Sequence, residues 1–468
     1  LYLYIVRRIL SQMSNKTVES LGYKQELKRA LTVPDLVCYG LIFMVPIAPF
    51  GIYGTVMSIS QGMVALAYSI GLVGMVFTAL SYWRMAEEFP ISGSVYGYAS
   101  KAIGKPVGFM SGWAILLDYL LVPTLLYIVA ATALSAIPGL SGVPIFIWMI
   151  VFIVINTIIN VVGIEWTNRF NWVMLILEVI VFIIFCIAAI HYIVTTPGVS
   201  FTLDPIFNDN FNMNIVMGAV SVCVLSFLGF DGINTLAEET KGGADSVGKG
   251  SVIAILVVGA FFIVQTYLAA CVLPWHGEGT FTDIDNAFYE VAQLAGGAKV
   301  MVICAAATGF SWGIADCMVA QAAISRIIYS MARDRMLPGA LAKVSPKFQT
   351  PYVSTIFIAI FSLVLTIGSV YLLPSAINAI SVVINFGGLS AFIILNFTVI
   401  YYFWYKKKTG KLWKHLILPA IGFLIIAYIW TSLSSYALTL GVIWLCIGVI
   451  FYLVNVKVFH NDVKLELE

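Results

Sequence analysis

The sequence predicts an all-α integral membrane protein with twelve transmembrane helices. Apolar residues make up 61% of the 468 residues and charged residues only 10%, whereas soluble domains are about half apolar and a quarter charged. Many apolar runs also reach the length of about 20 residues that a helix needs to cross a bilayer. The net charge of +2 gives no basic excess, so we expect no nucleic-acid partner.

Each predicted span is an apolar segment bounded by polar or basic residues. The twelve segments are residues 33–58, 63–86, 96–134, 143–163, 168–195, 211–240, 249–274, 298–332, 352–372, 375–404, 415–432 and 435–457. They divide the chain into four predicted parts, which are an N-terminal cytoplasmic segment (1–30), a core of ten spans (31–404), two further spans (405–457) and a cytoplasmic tail (458–468).

Lysine and arginine residues predict the orientation of these spans. Cytoplasmic loops carry an excess of both residue types, and all of them except Lys299 fall on one side of the predicted topology. Because the number of spans is even, the sequence predicts that both termini lie on the cytoplasmic side.

The seven cysteines and four histidines have no spacing that is typical of a metal site or a disulfide framework. All seven cysteines lie in apolar segments and none forms a CxxC pair, which favours packing thiols. The sequence also shows no nucleophile–base pair and no phosphate-binding loop. We therefore expect neither a cofactor nor an enzyme.

Two predicted spans carry residues that interrupt a helix. The first has Pro46 and Pro49 around Ala48, and each proline removes a backbone hydrogen bond. The sixth has Gly229 and Gly232 in the stretch GFDG. Irregular backbone at membrane depth is tolerated where protein or a watery cavity covers it, and matched interruptions in two repeats point to a transporter's binding site. The alternative is a pair of harmless kinks.

Four acidic residues and no basic ones fall near the middle of predicted spans, namely Asp118, Glu178, Asp231 and Asp316. A charge at the bilayer centre costs at least about 2.5–3.5 kcal/mol, so such residues usually mark an ion, proton or substrate path. An all-acid set suits a cationic ligand. Burial disfavours the charged form of a carboxyl group, so we expect at least one of the four to exchange protons near neutral pH. The alternative is a neutral acid bonded to a carbonyl that a break has freed.

Aromatic residues lie close to these acids in the sequence. They are Tyr119, Phe230 and Trp312, with Phe50 at the first interruption. An ammonium group over an aromatic face forms a favourable cation site, and Trp312 and Asp316 share a helix face because they are four residues apart. Ordinary packing is the alternative, since aromatic residues make up 14% of the chain.

Three motifs, in the same order, resemble those of the amino acid–polyamine–organocation transporters. They are FPISGSVYGYASKAIGKPVGFMSGW (89–113), GFDGINTLAEETK (229–241) and SRIIYSMARDRMLP (325–338). The likeness runs over about residues 30–455, and it is closer to the bacterial putrescine importers because of GWAILLDYLLVP (112–123) and the second motif.

The resemblance implies a LeuT-type fold with spans 1 to 5 and 6 to 10 as inverted repeats, spans 1 and 6 broken, and spans 11 and 12 appended. It also implies alternating access around a site between spans 1, 3, 6 and 8. The expected substrate-binding residues are Asp118, Asp231, Phe230, Gly229, Tyr119, Trp312, Asp316, Ala48 and Phe50. The expected proton-coupling residue is Glu178, and the expected gate contains Tyr96, Glu238 and Lys241, with Arg84 nearby.

Two departures from the superfamily pattern bear on the substrate. Amino acid carriers of the superfamily have a Gly-small-Gly run at the first interruption, where amides hold the substrate carboxylate, but here Pro46 and Pro49 flank the break. Because proline lacks an amide donor, this favours a substrate without a carboxylate. Glu178 stands where sodium-independent carriers often have a lysine, so we expect it to carry a proton or neutralise a bound cation.

The leading hypothesis is a secondary carrier in the cytoplasmic membrane of a bacterium that imports a putrescine-like amine, coupled to protons. Asp118 and Asp231 are the first pair of expected anchors, and Asp316 is held in reserve. Expected partners are a small amine or amino acid, protons and the lipid bilayer. The alternatives are an amino acid carrier or amino acid/amine exchanger and, outside transport, an amine sensor or a channel.

Glu238 and Glu239 are expected to be solvated, with ion pairing that holds a gate shut as the alternative.

Overall fold

The computed structural model describes residues 29–91, 94–135, 143–162, 164–241, 243–277, 279–282, 284, 287–372 and 376–458. Over these ranges, eleven helices are long and apolar enough to cross a membrane, or twelve if the bent first pair counts as one span. This confirms the all-α membrane fold with twelve predicted spans. Almost all of the predicted N-terminal segment (1–30) and tail (458–468) lies outside the described residues.

Fifteen α-helices follow one another in the described part of the chain. They are α1 (Val33–Met44), α2 (Pro49–Ile59), α3 (Val64–Glu88), α4 (Ser94–Ala102), α5 (Lys105–Ser135), α6 (Ile145–Val162), α7 (Ile164–Thr195), α8 (Met213–Cys223), α9 (Ala244–Val272), α10 (Ala287–Phe310), α11 (Cys317–Arg333), α12 (Tyr352–Leu372), α13 (Ala376–Val399), α14 (Leu418–Thr431) and α15 (Ser435–Val458). Two 3₁₀ helices (Val224–Phe227 and Phe230–Glu239) follow α8, and a π-helix (Ser311–Asp316) joins α10 to α11.

The predicted third span (96–134) is two helices, so its prediction as a single helix is wrong. Between α4 and α5, Gly104 has φ +152°, a conformation that glycine adopts far more readily than other residues. Pro106 is the second residue of α5, where its missing amide proton costs no helical hydrogen bond. The sequence therefore stops one helix and starts the next at this point.

The predicted eighth span (298–332) begins where the structure starts a new helix. Helical residues run from Ala287, but Gly297, with φ 75° and ψ −176°, separates an earlier helix from the one that follows it. The chain then passes through the π-helix Ser311–Asp316 before α11. Such π segments often occur at functional sites, and this one contains two of the predicted site residues.

The chain leaves the helix between α1 and α2, where the sequence has its two prolines. The two helices are bent by 56° relative to each other, and Val45, at the end of α1, has φ 48°. The carbonyl of Pro46 accepts a hydrogen bond of 2.9 Å from the side-chain amide of Gln265 on α9. A buried side chain therefore satisfies a carbonyl that the interrupted helix has released, as the apolar surroundings require.

The chain also leaves the helix after α8. Leu228 is extended, and Gly229 has φ 109° before the 3₁₀ helix begins at Phe230. A Cβ atom on Gly229 would lie 2.7 Å from the ring of Phe43 in α1, and one on Gly232 would lie 2.6 Å from the same ring. Glycine is required at both positions, because any side chain would separate the two irregular segments.

Apolar side chains cover the outer surface of the helical assembly. Ile187 and Val194 on α7 are 64% and 71% exposed, and Ile450 on α15 is 62% exposed. A soluble protein rarely exposes apolar surface on this scale. Lipid is the solvent that fits this surface, and the chain is a multi-pass membrane protein.

Candidate substrate-binding site

A central cavity of about 50 Å³ lies between the two irregular segments. α1 and α2, the middle of α5, the turn after α8 and the π-helix before α11 all contribute to its wall. The lining residues are Phe43, Met44, Val45, Ala48, Ile52, Asp118, Tyr119, Val122, Leu125, Leu126, Leu225, Ser226, Leu228, Gly229, Trp312 and Asp316. Six of the predicted site residues are among them, namely Ala48, Asp118, Tyr119, Gly229, Trp312 and Asp316.

Two carboxylates line this cavity. Asp118 on α5 is 2% exposed and Asp316 at the end of the π-helix is 5% exposed. A Cβ atom on Gly388 of α13 would lie 2.9 Å from Oδ2 of Asp118, so a glycine is needed there for α13 to pack against this carboxylate. Oδ1 of Asp316 has no hydrogen-bond partner among the described residues. Buried charged groups are normally paired, so both acids are suited to a cationic ligand.

Asp231 lies behind the cavity wall. It is fully buried, and its Oδ2 accepts hydrogen bonds from the hydroxyl groups of Tyr119 at 2.7 Å and Tyr82 at 3.4 Å. Ser94 in turn donates to the hydroxyl oxygen of Tyr82 at 3.3 Å. The carboxylate of Asp231 therefore holds Tyr119, whose ring lines the cavity, and it also interacts electrostatically with Asp118.

Glu178 on α7 lies outside the lining but close to it. Its side chain is 1% exposed, and it interacts electrostatically with Asp316. In the described part of the chain, neither of its carboxylate oxygens has a hydrogen-bond partner with good geometry. Glu178 is therefore close enough to Asp316 for their charges to interact, as Asp231 is to Asp118.

The predicted aromatic residues fall into two groups. Tyr119 and Trp312 line the cavity, and a Cβ atom on Gly51 would lie 3.0 Å from the indole of Trp312. Phe230 packs away from the cavity, against Tyr82 and Phe392. Only the first group can present an aromatic face to a ligand in this conformation.

Phe50 belongs to a cluster that we call the aromatic layer, formed by Phe50, Tyr53, Phe185, Phe281 and Phe288. Phe50 and Phe288 are stacked with ring centroids 3.8 Å apart, and Phe185 packs edge-on to Phe50 at 5.9 Å. Tyr53 packs against Phe288 at 5.7 Å and Phe281 at 6.0 Å. The layer covers the end of the cavity towards which α2 runs.

Charged residues close the other end, where α1 begins. Glu238 and Glu239, the last residues of the 3₁₀ helix, are 0% and 1% exposed. Glu239 forms an ion pair with Arg326, and Glu238 accepts two hydrogen bonds from Arg333, at 3.0 and 3.1 Å. The expectation that these glutamates are solvated is therefore wrong. Their partners on α11 are seven residues apart, which places two arginines on one helix face and was the signal that sequence reasoning missed.

Tyr96 completes this group, which we call the ionic layer and define as Tyr96, Glu238, Glu239, Arg326, Arg333 and Asp334. The hydroxyl of Tyr96 donates to Oδ2 of Asp334 at 2.8 Å. The amides of Ala30 and Leu31 donate to the carbonyl of Glu239 at 2.9 and 3.1 Å. The start of the first span is thereby attached to the ionic layer.

Two of the residues predicted near the gate lie apart from the ionic layer. Lys241 has an exposed side chain, and its backbone amide donates to the carbonyl of Leu31 at 2.7 Å. Arg84 lies within α3, where it pairs with Glu87 at 2.9 Å. Arg84 was predicted near the gate, but it lies inside α3, which continues to Glu88.

Comparison with known proteins shows the family to which the chain belongs. Residues 37–459 match the family described as Amino acid permease. The chain is 31% identical over 446 residues to the low-affinity putrescine importer PlaP of Escherichia coli, covering 94% of this chain and 96% of that protein. It is 27% identical over 459 residues to the branched-chain amino acid permease BcaP of Bacillus subtilis, covering 92% and 93%.

A third similar protein is the methylthioribose transporter of Bacillus subtilis, 26% identical over 464 residues that cover 93% of this chain and 95% of that protein. All three are transporters by name, and the matched family consists of permeases. These findings confirm the resemblance and the expectation that the protein is not an enzyme. The chain is a transporter that belongs to the amino acid permease family of the amino acid–polyamine–organocation superfamily.

Proposed function

We propose that this transporter imports a putrescine-like organic amine. The observation that carries the proposal is the acidic lining of the cavity, in which Asp118 and Asp316 occur without a lysine or arginine among the described lining residues. Tyr119 and Trp312 add aromatic faces, to which an ammonium group binds favourably. The likeness to a protein named as a low-affinity putrescine importer supports the same substrate class.

The backbone at the first interruption supports an amine rather than an amino acid. Pro46 and Pro49 have no amide proton. The amides of Ala48, Phe50 and Gly51 donate to backbone carbonyls at 2.7, 3.0 and 3.2 Å. A substrate carboxylate would meet few free amide donors there, whereas an ammonium group needs none.

The predicted site residues take different roles in this proposal. Asp118 binds an ammonium group directly, and Tyr119 packs against it with its ring. Asp231 acts through Tyr119, which it positions by a hydrogen bond of 2.7 Å. Gly229 keeps the cavity open at the second interruption. Phe230 and Phe50 support the wall without touching the substrate.

We place proton coupling at Glu178. The residue is buried beside the cavity and interacts electrostatically with Asp316. A cation bound at Asp316 would weaken the hold of Glu178 on a proton, because a nearby positive charge favours the ionised form of a carboxyl group. Substrate binding and proton release would be linked in this way, as exchange of an amine for a proton requires.

We further propose that the ionic layer is the cytoplasmic gate of a bacterial inner-membrane carrier that works by alternating access. The excess of lysine and arginine on that side supports this orientation, with both termini in the cytoplasm. Tyr96 and Glu238 belong to the gate through their bonds to α11, and Lys241 lies at its solvent edge. Residues 31–404 would form the core of two inverted repeats, and residues 405–457 two accessory spans.

A second candidate function is the transport of amino acids. The similarity to the branched-chain amino acid permease BcaP over 92% of the chain favours it. In this case Asp118 and Asp316 would bind the amino group or couple protons, and the substrate carboxylate would need a donor such as the hydroxyl of Ser226, which lines the cavity. Competition experiments distinguish the two candidates directly.

The test is uptake of labelled putrescine into proteoliposomes by the wild-type protein and by Asp118→Asn. Loss of one charge-assisted contact is expected to lower uptake at limiting substrate about 10-fold or more. Asp245→Asn is the matched control, because Asp245 is an exposed aspartate that pairs with Lys249 at 2.5 Å on the surface of α9. Unchanged uptake by Asp118→Asn would remove the site assignment, and competition by leucine or alanine but by no diamine would favour the second candidate.

A further inference from the structure

We propose that Asp118 and Asp316 form a two-point clamp that binds both ammonium groups of one diamine, and that Asp316 makes the second ammonium group necessary for tight binding. This inference rests on the proposed function and deepens it. The clamp pairs Asp118 with Asp316 across the cavity, whereas the sequence had placed Asp231 in the second position.

The two carboxylates lie on different sides of the cavity. Asp118 lies beside the second interruption. A Cβ atom on Gly388 would lie 2.9 Å from Oδ2 of Asp118 and 2.9 Å from the side chain of Leu228, which belongs to that interruption. Asp316 lies on the π-helix, and its neighbour Cys317 has its Sγ atom 3.8 Å from the carbonyl oxygen of Pro123. Asp316 is therefore at the level of Pro123 along α5, and Asp118 is five residues away along the same helix.

The separation fits a short diamine. Five residues of α-helix rise about 7.5 Å, which estimates the distance between the two carboxylates along the axis of α5. The nitrogens of an extended four-carbon diamine are about 6 Å apart, given carbon–carbon bonds of about 1.5 Å. Each ammonium group can then reach its own carboxylate through a hydrogen bond of about 2.8 Å, provided that the bond is inclined to the long axis of the diamine.

The wall between the two acids is apolar. Val122, Leu125 and Leu126 on α5 and Ile52 on α2 line the cavity together with the two carboxylates. Methylene groups gain from leaving water for such surroundings, by roughly 0.8 kcal/mol each. An aliphatic chain with a cation at each end is the ligand that matches two acids separated by hydrocarbon.

The state of the carboxylates distinguishes Asp316 from Asp231. In the described part of the chain Oδ1 lacks a partner in both aspartates, but of the two only Asp316 lines the cavity, where it is 5% exposed and offers a buried acceptor to a ligand. Oδ2 of Asp231 is already occupied by Tyr119 and Tyr82. Asp231 also lies outside the lining, and a diamine would have to displace Tyr119 to reach it.

The experiment compares putrescine with butylamine, which has the same carbon chain but one ammonium group. Dissociation constants are measured on the purified full-length protein, for the wild type and for Asp316→Asn. We expect the wild type to bind putrescine at least 10-fold more tightly than butylamine. In Asp316→Asn this ratio is expected to fall to within about 2-fold, because the variant keeps Asp118 and loses the second anchor.

The outcomes separate this inference from the function on which it rests. A wild type that binds putrescine while Asp316→Asn keeps the full preference over butylamine overturns the clamp and leaves the amine function standing. A wild type that binds neither amine overturns both. If Asp316→Asn does not fold, the affinities of the wild type for diamines of three to eight carbons decide. A clamp predicts the tightest binding near four or five carbons, and affinities that do not depend on chain length contradict it.

Discussion

The aromatic layer, on α2 beyond the first interruption, and the ionic layer, where α1 begins, are held together by different interactions, and we propose that they close the two ends of the cavity. In the aromatic layer, Phe50 and Phe288 stack at 3.8 Å, and the contacts around them are between hydrocarbon surfaces. In the ionic layer, Glu239 and Glu238 pair with Arg326 and Arg333 at positions that water hardly reaches. One end is closed by contacts of low directionality, and the other by pairs whose partners must stay together.

This difference indicates how each end can open. Aromatic pairs contribute about 0.5–1.5 kcal/mol beyond the burial of their area, and they can slide past each other without leaving a polar group unpaired. Separating a buried ion pair exposes two charges, each of which needs water or a new partner at once. We therefore expect small, graded motion at the aromatic end and an all-or-none transition at the ionic end.

The ionic layer is also joined to the cavity by one rigid element. Asp316 immediately precedes α11, and Arg326 and Arg333 lie further along the same helix. Arg326 is ten residues from Asp316, which corresponds to about 15 Å of helix. A shift of α11 that follows ligand binding at Asp316 would act directly on both ion pairs, whereas the aromatic layer is carried mainly by α2 and α10.

Breaking the ionic layer gives the largest expected effect. Arg326→Ala leaves the buried carboxylate of Glu239 without its partner, which costs about 3–5 kcal/mol for a buried pair. It also removes the hydrogen bond of 2.8 Å from Arg326 to the carbonyl of Ala322. The thermal unfolding midpoint of the purified protein in detergent is the measurement, and we expect a marked decrease.

The matched control for this prediction is Arg84→Ala. Arg84 and Glu87 form an ion pair at 2.9 Å with side chains 18% and 40% exposed, and such pairs contribute about 0.2–1 kcal/mol. The double variant Arg326→Met with Glu239→Met should be more stable than Arg326→Ala, because it leaves no unpaired charge. Equal decreases for Arg326→Ala and Arg84→Ala would show that the ionic layer is as solvated as the sequence had indicated.

The fold follows from the sequence because its strongest determinants are local. Runs of apolar residues specify the spans, and Pro46 with Pro49 and Gly229 with Gly232 mark where the chain leaves the helix. The third span was predicted as a single helix because hydropathy alone treats the stretch around Gly104 as continuous, whereas Gly104, with a positive φ of 152°, divides it.

The site was predictable only in part, because pairing between distant residues has no local signature. The sequence indicates that Asp118, Asp231 and Asp316 lie near mid-membrane, but it does not reveal that Tyr119 occupies Asp231 and leaves Asp316 to the cavity. The partners of Glu238 and Glu239 lie about 90 residues further along the chain. A charged residue at the end of a span is usually solvated, so composition favoured the wrong alternative there.

An intermediate effect is expected from the aromatic layer. Phe50→Leu and Phe288→Leu each keep an apolar side chain and remove the stacking, so the pair can be examined by a double-mutant cycle of unfolding free energies. We expect a coupling of about 0.5–1.5 kcal/mol, well below the cost of Arg326→Ala. The exposed pair Phe207 and Phe211, with centroids 5.0 Å apart, serves as the control cycle. A coupling at Phe50 and Phe288 no larger than in that control would contradict the assignment of the stack as a closing contact.

The smallest expected effect comes from the edge of the ionic layer. Tyr96→Phe removes the hydrogen bond of 2.8 Å to Asp334, and water can replace the hydroxyl because Asp334 is partly exposed. We expect the closed gate to lose about 0.5–1 kcal/mol of stability relative to the open gate. This loss shifts the equilibrium towards the open gate about 2- to 5-fold. Initial rates of putrescine uptake measure this shift. If opening of the gate limits turnover, a gate that opens more easily raises the initial rate. Tyr371→Phe, at a tyrosine that is 70% exposed, provides the control. If both variants transport at the wild-type rate, the ion pairs alone hold this end shut, and the contrast with the aromatic end becomes sharper still.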